Sequence, residues 1–192
     1  FDGTLTATPG DRADRRTKVR ELGDRAPMLA PWLERLQEAG IAMGVVSKSS
    51  EQTVVDALEA AGLRRFFDGP VRGKALSLDG KAGIIETMCG SGALAHLGAA
   101  GLQRVLLVDD DIAELARARE LGISTFPAPE EGGLLDDDFR EIFEALGLEA
   151  PATPHADVAA IAEIQRLWSR GLAGQSFELS TEQTQVAYDR GS

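Results

Sequence analysis

Hydrophobic residues in this chain alternate between short uninterrupted runs and longer stretches that repeat every three or four positions. The second pattern predicts a helix over about 28–39, ended by Gly40, with its apolar face formed by Leu29, Trp32, Leu33 and Leu36. The run over 41–46 predicts a strand buried on both faces, and 105–108 is the clearest strand of this kind. A strand that follows a helix in this way is the basic unit of an α/β protein.

The rest of the chain continues this alternation. Helical spacing predicts further helices at about 51–61, 82–88, 112–121 and 136–146, and 123–126 predicts another strand. Segment 71–78 is ambiguous and fits a short pair of strands, whereas the polar segment 7–26 predicts an exposed connection with no more than one short helical turn. The order predicts an α/β fold with a parallel sheet and helices on both faces.

The length and the proline positions set the domain organisation. A chain of 192 residues fits one domain with a tail. Pro151 and Pro154 break the pattern after the predicted core, so we expect a core domain over 1–150. An amphipathic helix and a polar tail are expected over 151–192.

Charge and cysteine content restrict the partners. The net charge of −11 argues against DNA or RNA, whose phosphates attract lysine and arginine. A single cysteine, Cys89, rules out an internal disulfide and agrees with a cytoplasmic protein. No apolar run approaches the roughly 20 residues that span a bilayer, so no membrane partner is expected.

Polar side chains follow several of the predicted strands. In parallel sheets ligands bind beyond the carboxyl ends of the strands. This rule brings together the loops at 2–6, 47–50 and 109–111 and the region of Lys81. Converging carboxylates favour a hard cation such as Mg²⁺. A serine hydroxyl and a lysine at the same edge are suited to holding phosphate, so the set predicts phosphoryl transfer.

These residues resemble the motifs of the haloacid dehalogenase (HAD) superfamily of aspartate-nucleophile phosphohydrolases. The first motif of that family reads Asp-x-Asp-Gly-Thr-Leu-Thr, and the chain matches it from its second position onward with Phe1-Asp2-Gly3-Thr4-Leu5-Thr6. The other three motifs are similar to Val45-Val46-Ser47, Gly80-Lys81 and Leu107-Val108-Asp109-Asp110. The resemblance covers 1–147 and implies a three-layer Rossmann-like fold.

The resemblance also implies roles for individual residues. Asp2 would be the general acid and base, and Lys81 would contact both the nucleophile and the phosphoryl group. Phosphate would be held by Gly3, Thr4, Ser47, Lys48 and Lys81. Mg²⁺ would be held by Asp2 through its backbone carbonyl, by Asp109 and by Asp110. Lys74 lies close to Lys81 in sequence and is the alternative for the lysine role.

The chain departs from the family at the nucleophile, which would lie directly before Phe1. In one reading, the molecule has that aspartate and the strand that carries it, because a parallel sheet needs a strand that leads into the Asp2 loop. In the other, the nucleophile is absent and the protein is a catalytically inactive HAD-like binding module, which could act through 151–192. The first reading is favoured because loss of a central strand would leave a large cavity.

The spacing between the motifs leaves little room for a cap domain, which many HAD enzymes insert over the site. The resemblance therefore implies an open site and a phosphorylated substrate that is a protein or a small molecule. The Arg-rich segment 12–20 could steer an anionic substrate or be a solvated loop. A 2-haloacid dehalogenase is disfavoured because Asp2 is present. The oligomeric state is left open.

The acidic run at 109–111 also resembles the acidic pocket of a signalling receiver domain, which is a different functional class. Such a domain needs a lysine beyond its phosphoacceptor aspartate. The sequence has no lysine after Asp111, which excludes this class.

Overall fold

The computed structural model describes residues 1–10, 12–74, 80–91, 93–94, 97 and 101–150, which form a mixed α/β fold. Its helices are α1 (Arg15–Glu38), α2 (Glu51–Ala60), α3 (Gly80–Ser91), α4 (Ile112–Glu120) and α5 (Asp136–Ala145). Its strands are β1 (Val45–Val46), β2 (Val71–Arg72), β3 (Leu106–Asp109) and β4 (Ser124–Pro127). Short 3₁₀ turns cover Arg64–Phe66 and Leu102–Arg104. The predicted C-terminal helix lies outside the described residues.

The strands form two small parallel sheets within the described part of the chain. Strand β1 pairs with β2 in the register Val45↔Val71. Strand β3 pairs with β4, from Leu106↔Ser124 to Asp109↔Pro127. All four strands run parallel to their partners, as the strand–helix alternation predicts.

The strand predicted over 41–46 is shorter than expected. The backbone N–H of Met43 donates to the Asp68 side chain, and the Met43 carbonyl accepts from the N–H of Gly69. These bonds to the 68–70 turn replace a regular ladder, so only Val45–Val46 is a strand. In the ambiguous segment 71–78, Val71–Arg72 forms β2, whereas 75–78 falls outside the described residues.

The prediction of an exposed connection over 7–26 is wrong, because α1 begins at Arg15. Asp14 caps its N-terminus by accepting the N–H of Thr17 at 2.8 Å. Pro27 and Pro31 both lie inside the helix. The first half of α1 turns mainly polar residues towards the rest of the protein, so it lacks the apolar spacing by which the second half was recognised.

Two hydrophobic clusters pack around the strands. The larger one joins α1, α2 and α5, and in it the Trp32 ring stacks on Phe139 with centroids 5.5 Å apart. The smaller one joins α3 and α4 and includes Leu107. Since Leu106 and Val108 pack against the larger cluster, β3 has apolar neighbours on both faces. Among the helices that the structure describes, none is both long and apolar enough to cross a membrane.

Candidate functional site

The opening loop is a tight turn built around the carbonyl of Phe1. This carbonyl accepts the backbone N–H groups of Thr4, Leu5 and Thr6 at 3.3, 2.8 and 3.1 Å. Gly3 has a φ of +69°, which a residue with a side chain adopts only with strain. The fully buried Thr6 hydroxyl accepts the N–H of Gly3 and donates to the carbonyl of Thr8. The turn therefore holds the backbone of Asp2, from which its side chain projects, in one position.

The Asp2 carboxylate is held from three directions. One oxygen, Oδ2, accepts hydrogen bonds from the hydroxyls of Ser47 and Ser49 at 3.1 and 2.7 Å. The other, Oδ1, lies 2.8 Å from Nζ of Lys18. Burial by itself would raise the pKa of Asp2, but the ion pair with Lys18 and the hydrogen bond from Ser49 outweigh it, so this pKa lies below its ordinary value. The ionised carboxylate is thus the favoured form.

Lys81 and Asp109 form a buried ion pair beside this loop. Nζ of Lys81 lies 2.6 Å from Oδ2 of Asp109, and the two side chains are 7% and 2% exposed. Lys81 stands in the first turn of α3, where its backbone N–H donates to Glu114 at 2.8 Å. Asp109 ends β3 and also accepts the N–H of Asp111 at 3.1 Å. Lys74, in contrast, is exposed, so Lys81 is the lysine that lies among the site carboxylates.

Asp110 lies directly over Gly3. A Cβ atom on Gly3 would overlap the Asp110 carboxylate, so this close approach is possible because residue 3 has no side chain. Burial raises the pKa of Asp110, and the negative charge of Asp109 adds to this rise. The neighbouring carboxylates of Asp109 and Asp110 repel each other, so a positive charge beside them would be favourable.

The backbone nitrogen of Phe1 is buried, and the charges of Lys81, Asp109, Asp2 and Asp110 all act on it. The Phe1 side chain is itself part of the larger hydrophobic cluster. The main chain at Phe1 is therefore close both to the candidate catalytic side chains and to the hydrophobic core.

Lys48 extends to the outer edge of the site. Its Nζ lies 2.9 Å from Oδ2 of Asp111 and 3.5 Å from Oε1 of Glu114, and its side chain is half exposed. The hydrogen bond that Lys48 donates to Asp111 raises the pKa of Lys48. The Thr4 hydroxyl is buried, and within the described residues it has no hydrogen-bond partner.

The structure brings most of the predicted site residues together. Asp2 and Ser47 are in direct contact, Lys81 and Asp109 are in direct contact, and Asp110 lies over Gly3. Lys48 is directed to Asp111 instead, and the Thr4 hydroxyl is buried beside the opening loop.

Sequence reasoning assigned no individual role to two residues of the site, Lys18 and Glu114. Lys18 precedes the buried Leu22 by one helical turn, a spacing that could have placed it on the inner face of α1. Glu114 is 2% exposed and follows Asp110 by four positions. It is the third residue of α4, which begins directly after the acidic loop at 109–111, so its closeness to the site could have been inferred from its position in the first helical turn.

The donor chemistry partly fits Mg²⁺. Asp109 and Asp110 supply the carboxylate oxygens that this ion prefers, and a cation would relieve the repulsion between them. The Asp2 side chain is already paired with Lys18, so only its backbone carbonyl would be available to the ion. Over the described ranges, no group of three or more His, Cys, Asp or Glu side chains is arranged to hold a metal.

Comparisons with known proteins do not identify the chain. No protein-family model matches it, and no curated protein is found to be significantly similar in sequence.

Proposed function

We propose that this chain is the catalytic core of a Mg²⁺-dependent HAD-type phosphohydrolase that forms an aspartyl-phosphate intermediate. The observation that carries the proposal is the position of the Phe1 nitrogen. It is buried and within electrostatic reach of Lys81, Asp109, Asp2 and Asp110, so an aspartate joined to it would lie close to these side chains. That aspartate would be the nucleophile.

The arrangement of the strands supports a strand ahead of Phe1. In a parallel ladder, successive residues direct their peptide groups to opposite edges. The N–H groups of Val45 and Ser47 donate to the β2 side, which leaves Val46 directed to the other edge of β1. Leu106 and Val108 are directed likewise away from β4, because the carbonyls of residues 105 and 109 accept from the β4 side.

A strand between β1 and β3 would satisfy both edges and join the two sheets. Val46 packs against the smaller hydrophobic cluster, to which Leu107 of β3 belongs, so the two sheets are neighbours. With helices packed on both faces of β3, the result would be the three-layer Rossmann-like fold.

The side chains of the site supply the proposed chemistry. The nucleophilic carboxylate would attack phosphorus while the bond to the leaving oxygen breaks, and Asp2 would give that oxygen a proton. Asp2 would then accept a proton from the water that attacks the aspartyl phosphate and releases phosphate. Ser47 and Lys81 would contact the phosphoryl oxygens. Bound by Asp109 and Asp110, Mg²⁺ would neutralise phosphoryl charge.

The pairing of Asp2 affects the two steps differently. A lowered pKa favours the ionised form that activates water. The same pairing opposes proton donation to the leaving group, so the first step would be easiest for leaving groups of low basicity.

The open surroundings of the site favour a large phosphoester such as a phosphoprotein. The described residues between α2 and α3 form a 3₁₀ turn and β2 and do not include a cap domain. Lys48 and Asp111 at the edge are partly exposed and accessible to a substrate. A phosphorylated protein or small molecule as partner, and a cytoplasmic location, belong to the same proposal.

The test is phosphate release from 4-nitrophenyl phosphate by protein that includes the residues ahead of Phe1. We expect turnover with Mg²⁺, loss of turnover with EDTA, and a fall of at least about 100-fold in kcat for Asp2→Asn and Asp109→Asn. Asp24→Asn, on the exposed surface of α1, is the matched control and should leave kcat unchanged. No turnover by protein whose intact mass includes the upstream aspartate would refute the proposal.

One observation favours the alternative of an inactive binding module. The pairs Lys81–Asp109 and Lys18–Asp2 neutralise two of the site carboxylates without any metal. An inactive module would bind inorganic phosphate or a phosphopeptide without releasing phosphate, and it would have no aspartate before Phe1.

A further inference from the structure

Lys18 is a buried lysine whose ammonium group connects three parts of the chain. The residue is 5% exposed, and lysine is almost never buried to this extent without a partner. Its Nζ lies 2.8 Å from Oδ1 of Asp2, 2.7 Å from the Ser49 hydroxyl and 3.4 Å from the carbonyl of Gly10. The ammonium therefore contacts the opening loop, the segment that follows it, and the loop after β1.

Lys18, Ser49 and Asp2 form a closed triangle. The Ser49 hydroxyl accepts from Lys18 and donates to Oδ2 of Asp2, while Lys18 pairs with Oδ1 of the same carboxylate. Each carboxylate oxygen is therefore held by a different partner, so rotation of the Asp2 side chain would break at least one contact. Lys18 fixes both the position and the plane of this carboxylate.

The helix that carries Lys18 is itself attached to the opening loop. Glu21 accepts the backbone N–H and the hydroxyl of Thr8, and Arg25 donates to the carbonyl of Leu5 at 2.7 Å. A side chain mounted on a helix that is anchored in this way is placed more accurately than one on a free loop.

We propose that Lys18 is a positioning residue that holds the Asp2 carboxyl group towards the leaving oxygen of a phosphoester. The inference rests on the proposed phosphohydrolase function and goes beyond it, because no family motif matched in this sequence includes Lys18. Accurate placement of Asp2 matters most when the leaving oxygen needs a proton. The effect belongs to the step that expels the leaving group, where misplacement of the carboxyl group outweighs the easier protonation that loss of the Lys18 charge allows. It is therefore large for alkyl phosphates, such as a phosphoserine side chain, and small for 4-nitrophenyl phosphate.

The experiment compares Lys18→Met with wild type on a series of phosphate monoesters from 4-nitrophenyl to alkyl phosphate. We compare kcat/KM, which reports the step that expels the leaving group and excludes the later hydrolysis of the aspartyl phosphate. For the alkyl ester we expect kcat/KM to fall at least about 30-fold, and for the nitrophenyl ester we expect a fall below about fivefold. Lys18→Arg should restore part of the rate on alkyl esters. Arg35→Met, exposed on the same helix and outside the Arg-rich segment 12–20, is the matched control and should follow wild type throughout.

Two further variants keep the test decisive if Lys18→Met folds poorly. Ser49→Ala removes the bridge without stranding a charge and should show the same leaving-group pattern at smaller size. In an Asp2→Asn background, Lys18→Met should cost little further activity, because the group that it positions no longer transfers protons.

The outcomes separate the two proposals. A wild-type protein active on the esters, with a loss of kcat/KM in Lys18→Met that is equal across the series, overturns the role of Lys18 and leaves the phosphohydrolase intact. A wild-type protein that releases phosphate from none of the esters overturns both.

Discussion

Replacing Lys81 by methionine tests whether the Lys81–Asp109 pair is as desolvated as its geometry indicates. The substitution keeps most of the side-chain length and removes the charge. Asp109 would be left 2% exposed without its cation, and breaking a buried pair in this way typically costs about 3–5 kcal/mol. Because Asp109 keeps its hydrogen bond from the Asp111 N–H, we expect about 3 kcal/mol, the lower end of that range.

The assay is urea unfolding in buffer that contains a chelator, with the free energy of unfolding obtained by linear extrapolation. Lys48→Met is the control, because Lys48 pairs with Asp111 at a similar distance of 2.9 Å but is half exposed. Such a pair contributes about 1 kcal/mol or less. Adding Asp109→Asn to Lys81→Met should recover part of the loss, since the stranded charge is then gone.

A loss below about 1 kcal/mol in Lys81→Met, no larger than in Lys48→Met, would refute the reasoning about burial. The same variant also reports on the metal. If Asp109 binds Mg²⁺, the ion should stabilise Lys81→Met by about 2.7 kcal/mol at 100 times its dissociation constant.

Two further predictions concern glycine and charge. Gly73→Ala should lower the free energy of unfolding, measured by heat or urea, by at least about 2 kcal/mol, because its Cβ would overlap the backbone of Glu51. Gly23→Ala, at a position within α1 where a Cβ would meet no other atom, should raise the free energy of unfolding by up to about 1 kcal/mol. Equal effects at the two sites would contradict this contrast. The raised pKa of Asp110 means that its contribution to stability is complete below the unfolded pKa of about 3.9 and is lost as pH rises through the folded pKa. Asp110→Asn should therefore match wild type at low pH and be the more stable protein at pH 7 without metal; a difference that does not change with pH would exclude charge as its cause.

The contacts among the site residues follow from position along the chain. Ser47 follows β1, Asp109 ends β3 and Lys81 opens α3, and parallel connectivity brings such positions to one edge of a sheet. The helix predicted over 112–121 depends instead on local signals, namely its apolar spacing and the acidic residue before Ile112. Asp111 indeed caps α4 by accepting the N–H of Ala113.

What the sequence did not reveal depends on polar contacts between distant segments. The first half of α1 contacts the opening loop and its neighbours through Lys18, Glu21 and Arg25. A hydrophobicity pattern alone assigns such charged residues to an exposed segment. Glu114 is a similar case. Its buried carboxylate accepts the backbone N–H of Lys81, which lies thirty-three positions earlier in the chain. Hydrophobic periodicity carries no information on such pairs.

The two prolines in α1 separate the stability of the site from that of the core. Proline has no N–H, so Pro27 cannot bond the carbonyl of Gly23, and Pro31 cannot bond that of Pro27. The backbone ladder is therefore thinnest where the half of α1 that faces the opening loop meets the half that carries Trp32. Local opening of the first half need not spread into the second. Substitutions at the polar positions of this half can retune the loop for a new substrate while the buried Leu22 keeps its place in the hydrophobic core, which makes these positions the more evolvable ones.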